Sequence, residues 1–234
     1  MAGKTTATNP EGDIIMTDKN LTSISILLDR SGSMQSIRED TIGGYAAFIE
    51  EQRKNPGTCR VSLSQFDTEY EQVYADLALA DVPPLRLEPR GSTALLDSVG
   101  RLVTDLGARL AALPEPERPG SVIVGIVTDG MENASQEWTH PAIRALITQQ
   151  TEQYDWTFLY MGANQDAIEV GMSMGVDADL AMTYAGKNVG KAFRSKSLLV
   201  NAMRCDVAAG ASPRAARAAN RYTQEQRDEA MDES

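Results

Sequence analysis

The chain has 234 residues, with 22 Lys and Arg against 33 Asp and Glu, and therefore a formal net charge of −11 at pH 7. Nucleic acids and anionic membrane surfaces both attract proteins through Lys and Arg, so this charge argues against either kind of partner. Apolar residues make up 42% of the sequence, which is enough to form the core of one medium-sized domain.

Other classes of protein are disfavoured by features that the sequence lacks. No stretch approaches the roughly 18 consecutive apolar residues of a membrane span, and residues 1–20 lack the apolar region of a signal peptide. We therefore predict a cytoplasmic protein. The two cysteines, Cys59 and Cys205, are too far apart for a zinc or redox motif. The single histidine, His140, excludes multi-histidine metal sites and would be the only base for a Ser–His–Asp hydrolase.

The first predicted elements follow a polar segment without periodicity, residues 1–20, which we predict to be a disordered leader. A short apolar run at residues 24–28 is typical of a strand buried on both faces. Apolar residues at positions 42, 45, 46 and 49 then have the spacing of one helical face, and the sequence Asn55-Pro56-Gly57 ends this helix.

A β-hairpin is predicted next. Residues 61–66 and 70–77 have strand character and are separated by a short turn, so one of these strands should be antiparallel and near a sheet edge. The proline-rich residues 80–92 form a loop. The clearest helix covers residues 95–110, where apolar residues recur at positions 95, 99, 102, 103, 106 and 110.

The second half of the chain continues the alternation of strands and helices. Strands are predicted at residues 122–127, 156–161 and 180–184, and helices from about residue 141, at 167–172 and through Phe193, Leu198 and Met203. This alternation predicts an α/β, doubly wound, Rossmann-like three-layer fold: a mostly parallel central sheet with one antiparallel edge strand, and helices on both faces. Residues 208–234 lack an apolar stripe and are predicted to be a polar tail or a lone surface helix.

Three loops with matched polar residues follow the predicted strands. Residues 29–33 form a D-x-S-x-S pattern after the first strand, Thr93 begins the strongest helix, and Asp129 follows the strand at residues 122–127. In a doubly wound sheet such loops meet at the carboxyl ends of the strands. We therefore expect two carboxylates and three hydroxyls to converge there: Asp29, Ser31, Ser33, Thr93 and Asp129.

Oxygen ligands without nitrogen or sulfur indicate Mg²⁺, or Mn²⁺ or Ca²⁺, and not zinc. Without a cation, Asp29 and Asp129 would repel each other. With a divalent cation their charges balance, and the metal keeps the capacity to accept one further carboxylate from outside the chain.

These residues, in this order and on these elements, resemble the metal-ion-dependent adhesion site (MIDAS) of von Willebrand factor A domains. The resemblance covers about residues 21–204, and it implies such a domain at residues 21–207. It implies that Ser31, Ser33 and Thr93 contact the metal directly or through water, while Asp29 and Asp129 act mostly through bound waters. A Glu or Asp of a protein partner would complete the octahedron.

By the same resemblance the chain would be an intracellular, bacterial-type interaction module and not an enzyme. Its partner could be an AAA-type ATPase or a stress-response complex. Two alternatives stay open. One is a metal-dependent phosphatase or phosphotransferase that uses Asp29, although the haloacid-dehalogenase type needs a second acid two residues later, where this chain has Ser31. The other is a metal-independent scaffold with a vestigial site.

Four other polar residues near these loops have simpler interpretations. We predict that Glu132 and Asn133 lie at the rim of the site and that Asp67 is a hairpin turn residue. Asp97, in the first turn of its helix, should interact with the helix dipole. His140 precedes a proline at a helix start and is predicted to lie at the surface.

Overall fold

A mixed β-sheet forms the centre of the computed structural model, which describes residues 17–163 and 166–232. In chain order its strands are β1 (Asp18–Asp29), β2 (Thr58–Phe66), β3 (Tyr70–Ala78), β4 (Pro119–Thr128), β5 (Thr157–Ala163) and β6 (Ala181–Tyr184). They are arranged in the order β3-β2-β1-β4-β5-β6. Only the β2–β3 pair is antiparallel among these strands, which confirms the predicted antiparallel edge strand.

Helices cover both faces of this sheet. They are α1 (Arg38–Arg53), α2 (Leu95–Ala112), α3 (His140–Tyr154), α4 (Ala167–Ser173), α5 (Val189–Ala208), α6 (Pro213–Ala219) and α7 (Gln224–Met231). Helices α1 and α5 pack together, and α3 packs against both α2 and α4. Adjacent strand residues point to opposite faces. Ile26 lies beside Lys196 of α5, whereas Ser25 lines a cavity with α2. The doubly wound, three-layer fold is therefore confirmed.

The central position of β1 explains its continuous apolar run. It pairs in parallel with β2 on one side and β4 on the other, and residues 24–28 are almost completely buried. Leu28 pairs with Val127, so the carboxyl ends of β1 and β4 lie next to each other. This register brings the loops that follow the two strands to the same place.

The apolar face of α2 agrees with the prediction, because all six residues of the predicted stripe are buried. The predicted helix through Phe193, Leu198 and Met203 is α5, with Leu198 on its exposed side. Cys205 is exposed, whereas Cys59 is buried. None of the helices within residues 17–163 and 166–232 is long and apolar enough to cross a membrane.

The two ends of the chain differ from the predicted domain boundaries. Residues 1–16 of the predicted leader lie outside the described residues, but β1 already begins at Asp18, whose backbone N–H donates to the carbonyl of Arg118. The polar residues 18–20 are at most partly buried, so they carry no hydrophobic signal from which a strand could be predicted.

The predicted polar tail is part of the packed structure. Ala216, Tyr222 and Ala230 are buried in it, and the Arg227 guanidinium donates to the carbonyl of Ala181 on β6. Strand β6 is an edge strand, and exposed edges are commonly covered in this way. Only three widely spaced apolar residues make these contacts, so no periodic stripe marks the segment in the sequence.

Candidate metal centre

Asp29 occupies the last position of β1 and its side chain is completely buried. Its Oδ1 accepts a hydrogen bond from the backbone N–H of Ser31 at 2.6 Å, and its Oδ2 accepts one from Thr128 Oγ1 at 2.6 Å. Both partners come from the loops or strand ends that adjoin it, so the carboxylate joins the end of β1 to the end of β4.

The two serines of the D-x-S-x-S pattern extend from Asp29 toward Asp129. Ser31 Oγ lies 3.1 Å from Ser33 Oγ, and Ser33 Oγ donates to Asp129 Oδ1 at 2.6 Å. Ser31 is buried, whereas Ser33 is exposed and Asp129 is partly buried. The pattern therefore links the buried end of the site to its solvent-facing end.

Thr93 reaches the same place from the loop that precedes α2. A Cβ atom built on Gly130 would lie 2.9 Å from Thr93 Oγ1, 3.6 Å from Ser33 Oγ and 3.7 Å from Asp29 Oδ2. Oxygens from two separate loops thus surround one point beside a third loop, and any side chain at position 130 would fill that point. The structure brings all five predicted site residues together around it, while metal binding by them stays a prediction.

Glu132 and Asn133 have a different role from the one predicted, because they hold the Thr93 loop in place. Asn133 Oδ1 accepts from the backbone N–H of Thr93 at 2.9 Å, and Glu132 Oε2 accepts from that of Leu96 at 2.9 Å. Burial alone would raise the pKa of Glu132, but hydrogen bonds from Ser135 and neighbouring backbone N–H groups lower it. These acceptors end the loop and begin α2.

Asp97 likewise acts across loops and not only on its own helix. Its carboxylate accepts hydrogen bonds from the backbone N–H groups of residues 136–138, at 2.7 to 3.0 Å. These three donors lie about 40 residues away along the chain, so the prediction of a helix-dipole interaction could not identify them. His140 is exposed, as predicted, and its Nδ1 lies 3.3 Å from Ser173 Oγ.

A buried ion-pair network next to the site was not predicted. Asp67 is 1% exposed, and its Oδ2 accepts from Arg30 Nε at 2.9 Å and from Arg90 Nε at 2.8 Å. Arg30 also pairs with Glu71 on β3. The pairing of Arg30 and Asp67 depends on the sheet register, and the only sequence signal was an arginine within the D-x-S-x-S pattern itself.

This network also fixes the loop that carries Thr93. The backbone N–H of Arg90 donates to the carbonyl of Arg30, and that of Ala94 donates to the carbonyl of Asp67. Between them Gly91 has φ +67°, and a Cβ there would lie 3.3 Å from the Asp67 Cβ. A side chain at position 91 would be strained in this conformation, which explains glycine at this turn.

The electrostatics of the five-residue site suit a cation. Burial raises the pKa of Asp29 to about 6; hydrogen bonds from Thr128 and Ser31 oppose this increase, and the charge of Asp129 adds to it. Burial also raises the pKa of Asp129. No Lys or Arg among the described residues contributes to either pKa, so both carboxylates lack a countercharge from the chain.

The donor set fits a hard divalent cation, since it consists of two carboxylates and three hydroxyls. Among the residues that the structure describes, no group of three or more His, Cys, Asp or Glu side chains could hold a metal. Any cation held here would therefore need the hydroxyls of Ser31, Ser33 and Thr93 in addition to the two carboxylates. Mg²⁺ prefers such oxygen ligands and usually keeps several waters.

Three solved structures with von Willebrand factor A domains are similar to this chain. The ArnB paralog VWA2 from Sulfolobus acidocaldarius is 14% identical over 77% of this chain and 45% of its own, with a TM-score of 0.50. The vWF domain of the type V pili tip protein Mfa5 from Porphyromonas gingivalis is 11% identical over 77% of this chain and 95% of its own, with a TM-score of 0.54.

The third is proximal thread matrix protein 1 from the mussel byssus with a zinc-occupied MIDAS motif. It is 14% identical over 78% of this chain and 46% of its own, with a TM-score of 0.54. This chain thus spans less than half the length of the first and third proteins. No protein-family model and no curated protein matches the sequence. Identities this low show a shared fold alone: the chain has the fold of von Willebrand factor A domains.

Proposed function

We propose that the chain is a protein-interaction module that holds a divalent cation and binds an acidic side chain of a partner protein through it. The observation that carries this proposal is the convergence of Asp29, Ser33 and Thr93 oxygens around one point beside Gly130. The two carboxylates of the site have no countercharge from the described residues, so an external cation would satisfy them.

Asp29, Ser31, Ser33, Thr93 and Asp129 would hold the cation. A bound dication supplies a Lewis-acidic position for one more oxygen ligand. Two carboxylates neutralise it, and its remaining ligands are uncharged hydroxyls and waters, so a carboxylate from outside is the ligand that it would attract most strongly. We propose Mg²⁺ first, with Mn²⁺ or Ca²⁺ as the alternatives, although the byssus protein with this fold has zinc in its MIDAS.

The class of partner rests on the resemblance alone. An AAA-type ATPase or a stress-response complex stays a prediction, as does a cytoplasmic location. The net charge of −11 would weaken long-range attraction to an acidic partner, so recognition would depend on short-range coordination at the metal.

The enzymatic alternative requires Asp29 to attack a phosphate. Asp29 is completely buried and both of its oxygens accept hydrogen bonds, which is unfavourable for a nucleophile. The structure thus offers no observation that favours the phosphatase alternative over an interaction module.

Metal binding is tested by calorimetric titration of the purified chain with Mg²⁺, Mn²⁺ and Zn²⁺, together with thermal unfolding. A ligand at 100 times its Kd stabilises the folded state by about 2.7 kcal/mol. We expect this stabilisation in the wild type and in the control Asp105→Ala, which removes an exposed carboxylate of α2. Asp29→Ala should lose it. An equal metal response in Asp29→Ala and the wild type would reject the assigned site.

Partner binding is tested separately, by affinity capture from native lysate with Mg²⁺ or with EDTA. We expect a partner that is captured by the wild type and by Asp105→Ala, is lost with EDTA and is lost with Asp129→Ala. Acidic residues of that partner would then be replaced one at a time. Capture that survives both EDTA and Ser31→Ala would favour the metal-independent scaffold.

A further inference from the structure

A second polar site lies further back along β1, on the face of the sheet that α2 covers and away from the metal centre. It is a cavity of about 170 Å³ between α2 and the strands β1, β2 and β3, and its polar lining residues are Ser25, Ser62, Ser64, Tyr70, Gln72, Asp105 and Arg109. Ser25 precedes Asp29 by four residues on β1, which places it about 13 Å from the metal centre at roughly 3.3 Å per strand residue.

Two buried polar atoms on its walls have no hydrogen-bond partner within the described residues: Ser25 Oγ and Arg109 Nε. Ser25 is 1% exposed. The guanidinium of Arg109 forms one hydrogen bond, from Nη2 to Ser62 Oγ at 3.2 Å. A buried donor without an acceptor costs about 1–3 kcal/mol, and more when it is charged. These two atoms therefore indicate that something outside the chain completes the cavity.

The other hydroxyls of the cavity also have protons to donate. Ser62 Oγ already accepts from the backbone N–H of Asp76 and from Arg109, so its own proton is free for another acceptor. Ser64 Oγ and Tyr70 Oη lie 2.8 Å apart. This pair uses one of its two protons internally and leaves the other. The walls thus present several donors, and these call for a ligand rich in acceptors.

The charges around the cavity also favour an anion. Asp105 lies at the exposed rim, and its carboxylate is 3.6 Å from Arg101, which neutralises it. Arg109 has no acidic partner within 4.0 Å among the described residues. One positive charge is therefore left uncompensated beside several hydroxyl donors.

The size of the cavity limits the ligand. A single water needs about 10–15 Å³ of such space, so 170 Å³ has room for a polyatomic ion. Pockets for drug-sized ligands measure about 300–1,000 Å³, so this cavity is too small for a ligand of that size. We propose that the cavity binds a small oxyanion of the phosphate class, with Arg109 and Ser25 as its main donors.

The test is a calorimetric titration with inorganic phosphate at constant ionic strength. EDTA and an Asp29→Ala background prevent phosphate from binding through a metal at the first site, so this proposal can fail independently of the proposed metal centre. We expect saturable binding at one site. A cavity filled only by water would show no saturable heat, and that result would overturn the proposal.

Two variants locate the bound ion. Arg109→Gln removes the charged donor and should weaken binding about tenfold or more, while Ser25→Ala should weaken it roughly 2–10-fold. The control is Arg194→Gln, which removes the same charge from an exposed position on α5 and should bind like the wild type. Equal weakening by Arg194→Gln, or unchanged binding in both cavity variants, would overturn the assignment.

Discussion

Two buried carboxylates, Asp67 and Asp29, lie one strand apart at the carboxyl edge of the sheet, and they differ in whether a basic side chain pairs with them. Asp67 accepts hydrogen bonds from Arg30 and Arg90. Burial would raise its pKa, but these arginines and the backbone N–H of Glu69 lower it. Asp29 accepts from the hydroxyl of Thr128 and the backbone N–H of Ser31, and burial raises its pKa to about 6.

The contrast separates a structural ion pair from a candidate ligand site. The chain supplies its own countercharge to Asp67 and thereby joins the loops that contain Arg30 and Arg90. Within residues 17–163 and 166–232 it supplies hydroxyls but no cationic side chain to Asp29 and Asp129. Lys196 is a third buried charged group, and among the described residues its Nζ has no hydrogen-bond partner. This Nζ lies 5.9 Å from the ring centres of Phe48 and Phe193. Burial lowers the pKa of Lys196 to about 7, so the ammonium group loses its proton far more easily than a lysine in water.

The largest effect should come from Asp67→Ala. This change leaves Arg30 buried without its main partner, and breaking a buried ion pair in this way costs about 3–5 kcal/mol. Urea unfolding in the presence of EDTA measures the loss. The control is Glu69→Ala, whose carboxylate is 76% exposed and whose loss should cost about 1 kcal/mol or less.

The pH dependence of the stability of Asp67→Ala tests whether the lost ion pair causes the destabilisation. Because the pKa of Asp67 is lower in the folded state, its contribution to stability is present above the unfolded pKa of about 3.9 and is lost as the pH falls through the folded pKa. The difference in unfolding free energy between the wild type and Asp67→Ala should therefore shrink in strong acid. A constant difference would show that packing, and not the ion pair, is responsible.

Asp129→Asn should have the next largest effect, but only when metal is present. With EDTA the variant should unfold within about 1 kcal/mol of the wild type, since the Asn amide oxygen can still accept the hydrogen bond from Ser33 and the repulsion by Asp29 is removed. With Mg²⁺ at 100 times its Kd, the wild type should gain about 2.7 kcal/mol that the variant does not. A large loss of stability in EDTA would mean that Asp129, like Asp67, mainly stabilises the fold.

Lys196→Met should stabilise the fold, by about 2 kcal/mol at pH 6, because an apolar side chain of similar length replaces an unpaired buried charge. Burial lowers the pKa of Lys196 to about 7. In the unfolded chain Lys196 has a pKa of about 10.4, so between about pH 10.4 and pH 7 the unfolded state binds this proton and the folded state does not. The stability of the wild type therefore decreases as the pH falls through this range.

Unfolding of both proteins from pH 6 to pH 10 measures this effect. The advantage of Lys196→Met should be constant below about pH 7 and should shrink as the pH rises. A destabilised variant, or a difference that does not change with pH, would mean that the ammonium group has a stabilising contact.

Arg90→Gln should give the smallest effect. Arg90 shares Asp67 with Arg30, but its side chain is 59% exposed, and exposed pairs contribute about 0.2–1 kcal/mol. Unfolding at low and high salt should show that this small difference disappears when the charges are screened. A loss as large as that of Asp67→Ala would mean that Arg90 and Arg30 contribute equally to the network.

Much of the fold could be predicted from local patterns. The six apolar residues of α2 repeat with the period of a helix, and β1 and β4 are short apolar runs, so each element is marked by its own residues. The residues of the D-x-S-x-S pattern, Thr93 and Asp129 could be assigned because each directly follows or precedes such an element. The packed C-terminal segment could not, since its buried residues Tyr222 and Ala230 are isolated and their backbone hydrogen bonds with Asp179 and Ala185 leave no pattern in the sequence.

The sequence by itself therefore predicted the order of strands and helices as far as α5, the three-layer fold and a set of candidate oxygen ligands, because these depend on periodicity and on residue type. Only the tertiary structure decided which polar groups pair across the sheet. The β1–β2 register brings Arg30 to Asp67, the carbonyl of Ala181 on β6 accepts a hydrogen bond from Arg227, and the packing of α2 places Arg109 on the same cavity as Ser25. Such contacts join residues far apart in the chain, and their energies depend on burial, which no local pattern encodes.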